Sequence, residues 1–157
     1  MGEQAAYVIA EVGGDDLGDL ARLRTDWTVA MGRVPPGEAA RDFDQRLRRW
    51  WDRQGGTRRA WLVRDEDDEA VGMANVQVFE RMPRPGVPDS RWAYVANVWV
   101  DEAHRRRGVG TDLMAHVVEW CRAEGMQRVV LNPSDMALGV YAALGFRPAH
   151  DLLLLDL

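Results

Sequence analysis

Apolar and polar positions alternate along several short segments of the chain, and this alternation predicts β-strands. Residues 91–100 give the strongest strand pattern. Residues 70–79 are apolar on both faces, which is typical of a central strand, with Asn75 and Gln77 as the polar exceptions. Shorter strand patterns cover residues 7–12, 59–64, 128–131 and 151–157.

Apolar residues at helical spacing predict four helices between these strands. The first contains Leu17, Leu20, Leu23 and Trp27. The other three are predicted over residues 38–54, 108–124 and 136–144. The resulting order, βααβββαβαβ, predicts an α/β fold (an α+β mixed sheet) with helices on both faces.

Length and composition place the chain among globular proteins. Its 157 residues, 46% of them hydrophobic, suit a single domain over residues 1–157. No leader is visible at the N-terminus and no apolar run is long enough to span a bilayer, so we expect a soluble, cytoplasmic protein with no membrane partner. The one cysteine, Cys121, excludes an internal disulfide, and no Cys/His cluster predicts a metal site.

The charge of the chain is acidic, with 25 Asp and Glu, 20 basic residues and a formal net charge of −5. This balance argues against a nucleic-acid partner, since such a protein needs a basic face. All 20 basic residues are arginine. The absence of lysine excludes Schiff-base chemistry and a P-loop lysine.

A cluster of basic and small residues follows the strand at 91–100 and opens the next helix. It reads Arg105-Arg106-Arg107-Gly108-Val109-Gly110-Thr111. Small residues let a ligand approach the backbone, the first helical N–H groups point outward, and arginines bind phosphate oxygens, so this turn suits a pyrophosphate. The alternative is a glycine-containing helix start with a solvated basic turn. A dinucleotide-binding loop is disfavoured because the third glycine of that motif is missing.

Two segments resemble sequence motifs of the GNAT superfamily of N-acetyltransferases. Residues 94–110 resemble motif A, and Arg105, Gly108 and Gly110 fall on the defined positions of its loop. Residues 131–146 are similar to motif B, a strand end followed by Tyr-x-x-x-Gly-Phe. The resemblance implies a GNAT-like acyl-CoA N-acyltransferase fold, in which the central strands are splayed.

The same resemblance implies acetyl-CoA as the cosubstrate, without a metal. The backbone of residues 98–100 would pair with its pantetheine arm, and the Val98 amide would polarise the thioester carbonyl. Amides of residues 105–111 would hold the pyrophosphate with help from two arginine side chains. The implied cofactor-binding residues are Val98, Trp99, Val100, Arg105, Arg106, Arg107, Gly108, Val109, Gly110 and Thr111, with Asn132 and Ser134 on the far wall of the cleft.

The resemblance also implies a catalytic acid. Tyr141 stands where the family places the group that protonates the departing thiolate, whereas helical spacing alone predicts a packed aromatic. A general base is needed as well, because the acceptor amine must lose a proton. The strand at 91–100 holds no acidic residue. We therefore expect Glu80 to be the base, with Asp89 and Asp26 as alternatives and a solvated surface carboxylate as the other interpretation of each.

These features predict an acetyl-CoA-dependent N-acetyltransferase that transfers the acetyl group directly, in a ternary complex, to a primary amine of a small molecule or peptide. No cysteine lies in the motifs, which disfavours an acetyl-enzyme. Asp26, Asp42 and Asp44 make the first two helices acidic, which favours a cationic acceptor. The alternative is a catalytically weak CoA-binding regulatory or sensor module of the same fold. A homodimer is a further expectation.

Overall fold

The computed structural model describes residues 6–35, 37 and 42–157, which form five strands and four α-helices. The strands are β1 (Val8–Glu11), β2 (Arg58–Arg64), β3 (Ala70–Glu80), β4 (Arg91–Val100) and β5 (Arg128–Leu131). The helices are α1 (Leu17–Ala30), α2 (Phe43–Gln54), α3 (Val109–Ala123) and α4 (Leu138–Ala143).

The five strands form one mixed sheet in the order β1-β2-β3-β4-β5. Neighbouring strands from β1 to β4 pair antiparallel. Strand β5 pairs parallel with β4, because α3 carries the chain back between them. The mixed α/β architecture predicted from the sequence is confirmed.

Alternate residues of the central strands face two separate apolar cores. On one face, Trp61 and Val63 belong to a core that contains the buried side of α3. On the other face, Ala60 and Leu62 pack with leucines of α1. This two-residue period explains why the central strands are apolar on both sides. Helices therefore cover both faces of the sheet.

Helix α3 forms because its apolar residues recur every four positions along one side. Val109, Leu113 and Cys121 are buried against the sheet. The chain leaves the helix at Gly125, which adopts a φ of +71° that glycine reaches without strain. The Met126 amide then donates to the Cys121 carbonyl at 2.9 Å, which closes the helix end. This helix fixes the position of the turn that precedes it.

The predicted element order is confirmed from β1 to α4, and β4 and β5 have the predicted bounds. Residues 38–41, predicted as helix, lie outside the described residues. The predicted strand over residues 151–157 is wrong, because this segment forms no strand and its leucines are exposed. A strand needs a partner for its backbone groups, and none of the described strands pairs with these residues.

Candidate active site

Strand β4 contains a bulge opposite the middle of β3. Between two regular pairs, Asn75 with Ala96 and Met73 with Trp99, β4 has one more residue than β3. Asn97 lies in this interval with a φ of +55°, a left-handed conformation that asparagine tolerates better than most residues. The bulge breaks the alternation of side chains, so that Ala96 and Asn97 line the same cavity.

Strands β4 and β5 separate after a short ladder. Their parallel pairing covers Trp92–Val95 and Arg128–Leu131, whereas β4 continues to Val100. The β5-facing edge of residues 96–100 therefore pairs with none of the described strands. Exposed backbone donors and acceptors of this kind can pair with an extended ligand. The splayed central strands implied by the resemblance are thus present.

The turn after β4 presents a row of free backbone N–H groups at the N-terminus of α3. Amides of residues 106–111 donate no hydrogen bond to any described backbone group. Positive φ angles at Arg106 (+59°) and Gly108 (+84°) shape the turn. Together with the positive end of the helix dipole, these amides provide donors suited to an anion such as a pyrophosphate.

The three arginines of this turn have different environments. Arg105 folds back, and its Nε donates to the Val100 carbonyl at 2.8 Å. Its amide donates to the Glu102 carbonyl at 3.2 Å, so this N–H group is already satisfied. Arg106 and Arg107 have exposed side chains. The free amides therefore begin at Arg106, one residue later than predicted.

Tyr141 lies on α4, and its ring belongs to the core that α3 forms with the sheet. The residue is 8% exposed, and its ring packs edge to face against Phe146, with the ring centroids 5.6 Å apart. Burial raises the pKa of the phenol above its usual value of 10.0, at which a phenol is already protonated at neutral pH. The side chain thus packs as a core aromatic and also keeps a proton to donate.

Asn132 and Ser134 follow β5 directly and are exposed. Leu131 is the last residue of β5 that pairs with β4, so these two residues stand where the strands separate. The Ser134 carbonyl accepts a 3.0 Å hydrogen bond from the Ala137 amide in the turn that leads to α4. Their place beyond the end of the ladder is compatible with the far wall of a cleft.

A cavity of about 1090 Å³ lies between α1 and α2 on one side and strands β2, β3 and β4 on the other. Asn75, Gln77, Tyr94 and Asn97 give it polar groups on the sheet side. Asn97 is also one of the residues of β4 that lie beyond the ladder with β5. The cavity and the open edge therefore meet at the bulge.

Glu80 is not among the residues that line this cavity. Along β3, Asn75 and Phe79 border the cavity, while Val76 and Val78 pack into the core on the α3 side. The alternation places Glu80 on the α3 side, and the residue is exposed at the end of the strand. This position does not fit the predicted role of general base.

The two alternative carboxylates are also outside the cavity. Asp89 is exposed in the loop before β4. Asp26, on α1, forms an ion pair with Arg22 at 3.2 Å. Over the described part of the chain, the cavity lining contains no Asp or Glu. A carboxylate base is therefore not provided by these residues.

Arginines dominate the charged lining instead. Those that border the cavity are Arg24, Arg46, Arg49, Arg53 and Arg58. The expectation of a cationic acceptor rested on three carboxylates that do not border it: Asp26, Asp42 and Asp44. A positive lining repels cations, so the structure argues against that expectation. The sequence already indicated a positively charged face of α2, because three of these arginines recur there at helical spacing.

Other side chains that could act as nucleophiles, bases or metal ligands lie away from the cavity. Burial raises the pKa of the Cys121 thiol to about 11, which makes it a poor nucleophile. His104 is half-buried, and its Nδ1 lies 3.0 Å from the Tyr7 hydroxyl. Within residues 6–35, 37 and 42–157, no group of three or more His, Cys, Asp or Glu side chains is placed to hold a metal ion. No helix in the same residues is long and apolar enough to cross a bilayer.

Comparison with known proteins agrees with this geometry. The sequence matches the Acetyltransferase (GNAT) family over residues 21–146. A glucosamine 6-phosphate N-acetyltransferase of Trypanosoma brucei brucei is 31% identical over 87 residues. This region is 55% of the present chain and 57% of that protein, so the match spans less than two thirds of the relative's length.

Two solved structures share the fold over nearly the whole chain. A predicted acetyltransferase from Clostridium acetobutylicum, solved with acetyl-CoA, has a TM-score of 0.77 at 18% identity and covers 96% of each chain. An acetyltransferase of Trypanosoma brucei has a TM-score of 0.73 at 23% identity, over 97% of this chain and 100% of that one. The sequence match and the shared fold agree, and the chain belongs to the acetyltransferase (GNAT) family.

Proposed function

We propose that this chain is an acetyl-CoA-dependent N-acetyltransferase that acts, as a single domain, on a primary amine of a small molecule. The observation that carries the proposal is the position of Asn97. This residue lines the large cavity and belongs to residues 96–100, whose β5-facing edge is open. An amine in the cavity and a thioester along that edge would meet at the bulge.

The choice of a small-molecule acceptor rests on two observations. A cavity of about 1090 Å³ has the size of a small-molecule site rather than of an extended protein interface. The relative from Trypanosoma brucei brucei is named for a small phosphorylated amino sugar. Both support a small amine over a folded protein substrate.

The residues present fit acetyl-CoA. The free amides of residues 106–111, with the exposed side chains of Arg106 and Arg107, would hold the pyrophosphate. The open edge of residues 98–100 would pair with the pantetheine arm. Asn132 and Ser134 would line the opposite wall, where β5 ends.

The proposed transfer is direct. Acetyl-CoA supplies a thioester whose carbonyl carbon forms the C–N bond with the amine as the C–S bond breaks. The Val98 amide donates a hydrogen bond to the carbonyl oxygen, where negative charge develops. Because the Cys121 thiol is buried with a raised pKa, it is not available to form an acetyl-enzyme.

Two proton transfers complete the reaction. No carboxylate of the described lining can take the amine proton, so this proton passes to water, for which the Asn97 side chain is the proposed hydrogen-bond partner at the bulge. Tyr141 donates its phenolic proton to the departing thiolate and recovers one from solvent. Its raised pKa extends the protonated form to a higher pH than that of an exposed phenol.

A panel of primary amines tests the proposal, with CoA thiol release and mass spectrometry of the acetylated amine as readouts. We expect thiol release that depends on the amine, with one acetylated amine formed per thiol. The matched control omits the amine. Tight binding of acetyl-CoA without thiol release for any amine would overturn the proposal and indicate a CoA-binding regulatory module.

We also propose that the chain forms a homodimer. Leu153, Leu154 and Leu155 are 100%, 85% and 80% exposed. The outer edge of β5 pairs with none of the described strands. A second copy would cover these apolar side chains, which water otherwise surrounds. Light scattering at micromolar protein concentration tests this, and a monomeric mass would contradict it.

A further inference from the structure

We infer that the acceptor amine also carries an oxyanion, a phosphate or a carboxylate, and that Arg24 and Arg58 bind this group inside the cavity. The inference rests on the proposed function, because it names the class of amine that the same cavity takes. Three observations carry it: the missing ion pairs of the lining arginines, one buried and unpartnered nitrogen in each of two guanidinium groups, and the place of these groups along the cavity wall.

The arginines that line the cavity lack the carboxylate partners that neighbouring arginines have. On α1, α2 and β2, an arginine outside the lining forms an ion pair at 3.2 Å or less: Arg22–Asp26, Arg48–Asp44 and Arg59–Glu11. The five lining arginines form no ion pair with any carboxylate in the described part of the chain. The cavity therefore concentrates positive charge that the described fold does not neutralise.

Arg24 on α1 is half-buried with an incompletely bonded guanidinium group. Its Nη1 atom is buried and has no hydrogen-bond partner among the described residues. The group lies over Trp27, with Cζ 4.1 Å from the ring centroid, and Arg33 approaches the same ring at 5.5 Å. Burial and the charge of Arg33 lower the pKa of Arg24. A buried N–H donor without an acceptor is unfavourable, and an oxyanion in the cavity would supply the acceptor.

Arg58 on β2 presents a second such group. Its Cζ lies 4.8 Å from the ring centroid of Trp50, and its Nη1 donates to Oδ1 of Asn75 at 3.0 Å. Its Nε is buried without a partner among the described residues, and burial lowers its pKa. The cation–π contact and the single hydrogen bond restrict the orientation of the guanidinium group. A planar fork of donors matches the oxygens of a phosphate or carboxylate.

Three arginines of α2 extend the positive surface outward. Arg46, Arg49 and Arg53 border the cavity and are exposed. Exposed charges of one sign around a cleft raise the local concentration of oppositely charged ligands. These three residues are therefore expected to attract the acceptor, whereas the two half-buried arginines orient it.

The anion site and the transfer site share one wall of the cavity. Arg58 is bonded to Asn75, which pairs across the sheet with Ala96, the residue before Asn97. An acceptor whose anionic group contacts Arg58 extends from there along β3 and β4 toward the bulge. Its amine then lies at the open edge of β4, where acetyl transfer is proposed.

Pairs of amines that differ only in the anionic group test the inference. Glucosamine 6-phosphate with glucosamine, and O-phosphoethanolamine with ethanolamine, probe phosphate; β-alanine with β-alaninamide probes carboxylate. One charge-assisted contact predicts a kcat/KM about 10-fold or more higher for the charged member of at least one pair. Equal or lower values for the charged member of every pair overturn the inference and leave the proposed function intact.

Calorimetric titration of the same amines separates the inference from the proposed function, because binding does not require turnover. Tighter binding of the charged member supports the inference even where no thiol is released. Equal affinity within all three pairs overturns it. Absence of thiol release with every amine counts against the proposed function alone.

Variants of the two half-buried arginines test the assignment to residues. Arg24→Met and Arg58→Met are each expected to raise KM for the preferred charged amine about 10- to 100-fold, from the loss of a charged hydrogen bond. The increase in KM for the neutral amine of the same pair should be smaller. Arg59→Met and Arg48→Met, which remove arginines outside the lining, are the matched controls and should leave both KM values unchanged.

The controls also keep the test decisive. If Arg59→Met raises KM as much as Arg58→Met does, the effect is one of overall charge and the assigned site is overturned. Melting temperatures check that each variant folds. A further variant, Arg49→Glu, reverses the charge of an exposed residue at the cavity. It is expected to lower the preference for the charged amine, and it tests the inference even if the variants of the half-buried arginines fail to fold.

Discussion

The guanidinium group of Arg105 lies over the indole ring of Trp99, with its Cζ atom 4.3 Å from the ring centroid. The Arg105 Nε donates a 2.8 Å hydrogen bond to the Val100 carbonyl, and the Trp99 Nε1 donates to Oδ1 of Asp101 at 3.0 Å. These contacts tie the end of β4 to the turn before α3. We therefore propose that Arg105 positions the free amides rather than contacting the pyrophosphate.

Replacing Arg105 is expected to weaken acetyl-CoA binding through the backbone. Arg105→Met removes a charged hydrogen bond and a cation–π contact, which predicts a dissociation constant about 10-fold higher. The salt dependence of binding should stay as in the wild type, whereas Arg107→Met should reduce it, because that exposed arginine is proposed to face the phosphates. Calorimetry at two salt concentrations measures both, with Arg122→Met as a surface control. An unchanged dissociation constant for Arg105→Met contradicts the positioning role.

Tyr141→Phe removes the proposed acid and keeps the packed ring. We expect kcat to fall about 100-fold or more, while the KM for acetyl-CoA stays close to the wild-type value. In the wild type, the phenol acts while it is protonated, and its pKa is raised above 10.0, so this step should fail only as the pH rises beyond 10.0. Tyr7→Phe, which removes a hydroxyl bonded to His104, is the matched control for kcat. Full turnover by Tyr141→Phe would exclude the acid role.

The buried thiol provides a test of direct transfer. Because the pKa of Cys121 is raised to about 11, the native protein should react slowly with a disulfide reagent at pH 8, and unfolding in urea should expose one reactive thiol. Cys121→Ala should keep kcat and lose only stability, since it leaves a small cavity in the core. Stability is measured by urea unfolding. Loss of turnover in a folded Cys121→Ala protein would favour an acetyl-enzyme.

Asp16 should make part of the stability pH-dependent. Its carboxylate accepts hydrogen bonds from the Gly13 amide at 2.8 Å and from Arg64 at 2.9 Å, and these lower its pKa below 3.8. A carboxyl whose pKa is lower in the folded state stabilises the fold above its unfolded pKa, and this stabilisation is lost as the pH falls through the folded pKa. Asp16→Asn should therefore flatten the loss of unfolding free energy below about pH 4. Urea unfolding at pH 7 and pH 3 measures the effect, with Asp68→Asn as the control, because Asp68 is a more exposed neighbour of Arg64. An equal change in unfolding free energy between the two pH values for Asp16→Asn and wild type would contradict the assignment.

The elements that the sequence predicted well are those in which the local pattern and the packing agree. Strand β4 buries alternate residues, Ala93 and Val95, and the helix after the Gly108 turn buries the apolar face that its periodicity marks. Strand β5 is half-buried and is held by its pairing with β4. Residues 151–157 show the opposite case, because an apolar run has no partner strand there. Hydrophobicity predicts that a segment can be buried, and pairing between distant segments decides whether a strand forms.

The site was predicted where its chemistry lies in contiguous residues and missed where it depends on pairing. The turn at residues 105–111 is one continuous motif, and its free amides lie where expected except at Arg105. The bulge at Asn97 arises from a register difference between β3 and β4, which no single segment contains. Asn75 and Gln77, the polar exceptions in β3, marked the face of the strand that borders the cavity. Alternation along the strand then places Glu80 on the opposite face.

Direct acetyl transfer to an amine is tested most directly by a rapid-quench single turnover with the protein in excess over acetyl-CoA. Free thiol, acetylated amine and intact protein mass are followed in the same samples. We predict no thiol and no change in protein mass without the amine, and thiol and acetylated amine that appear with one rate constant when it is present. Thiol release that precedes the acetylated amine and coincides with an acetylated protein would contradict direct transfer. Bound acetyl-CoA that never yields thiol with any amine would contradict the proposed acetyltransferase activity.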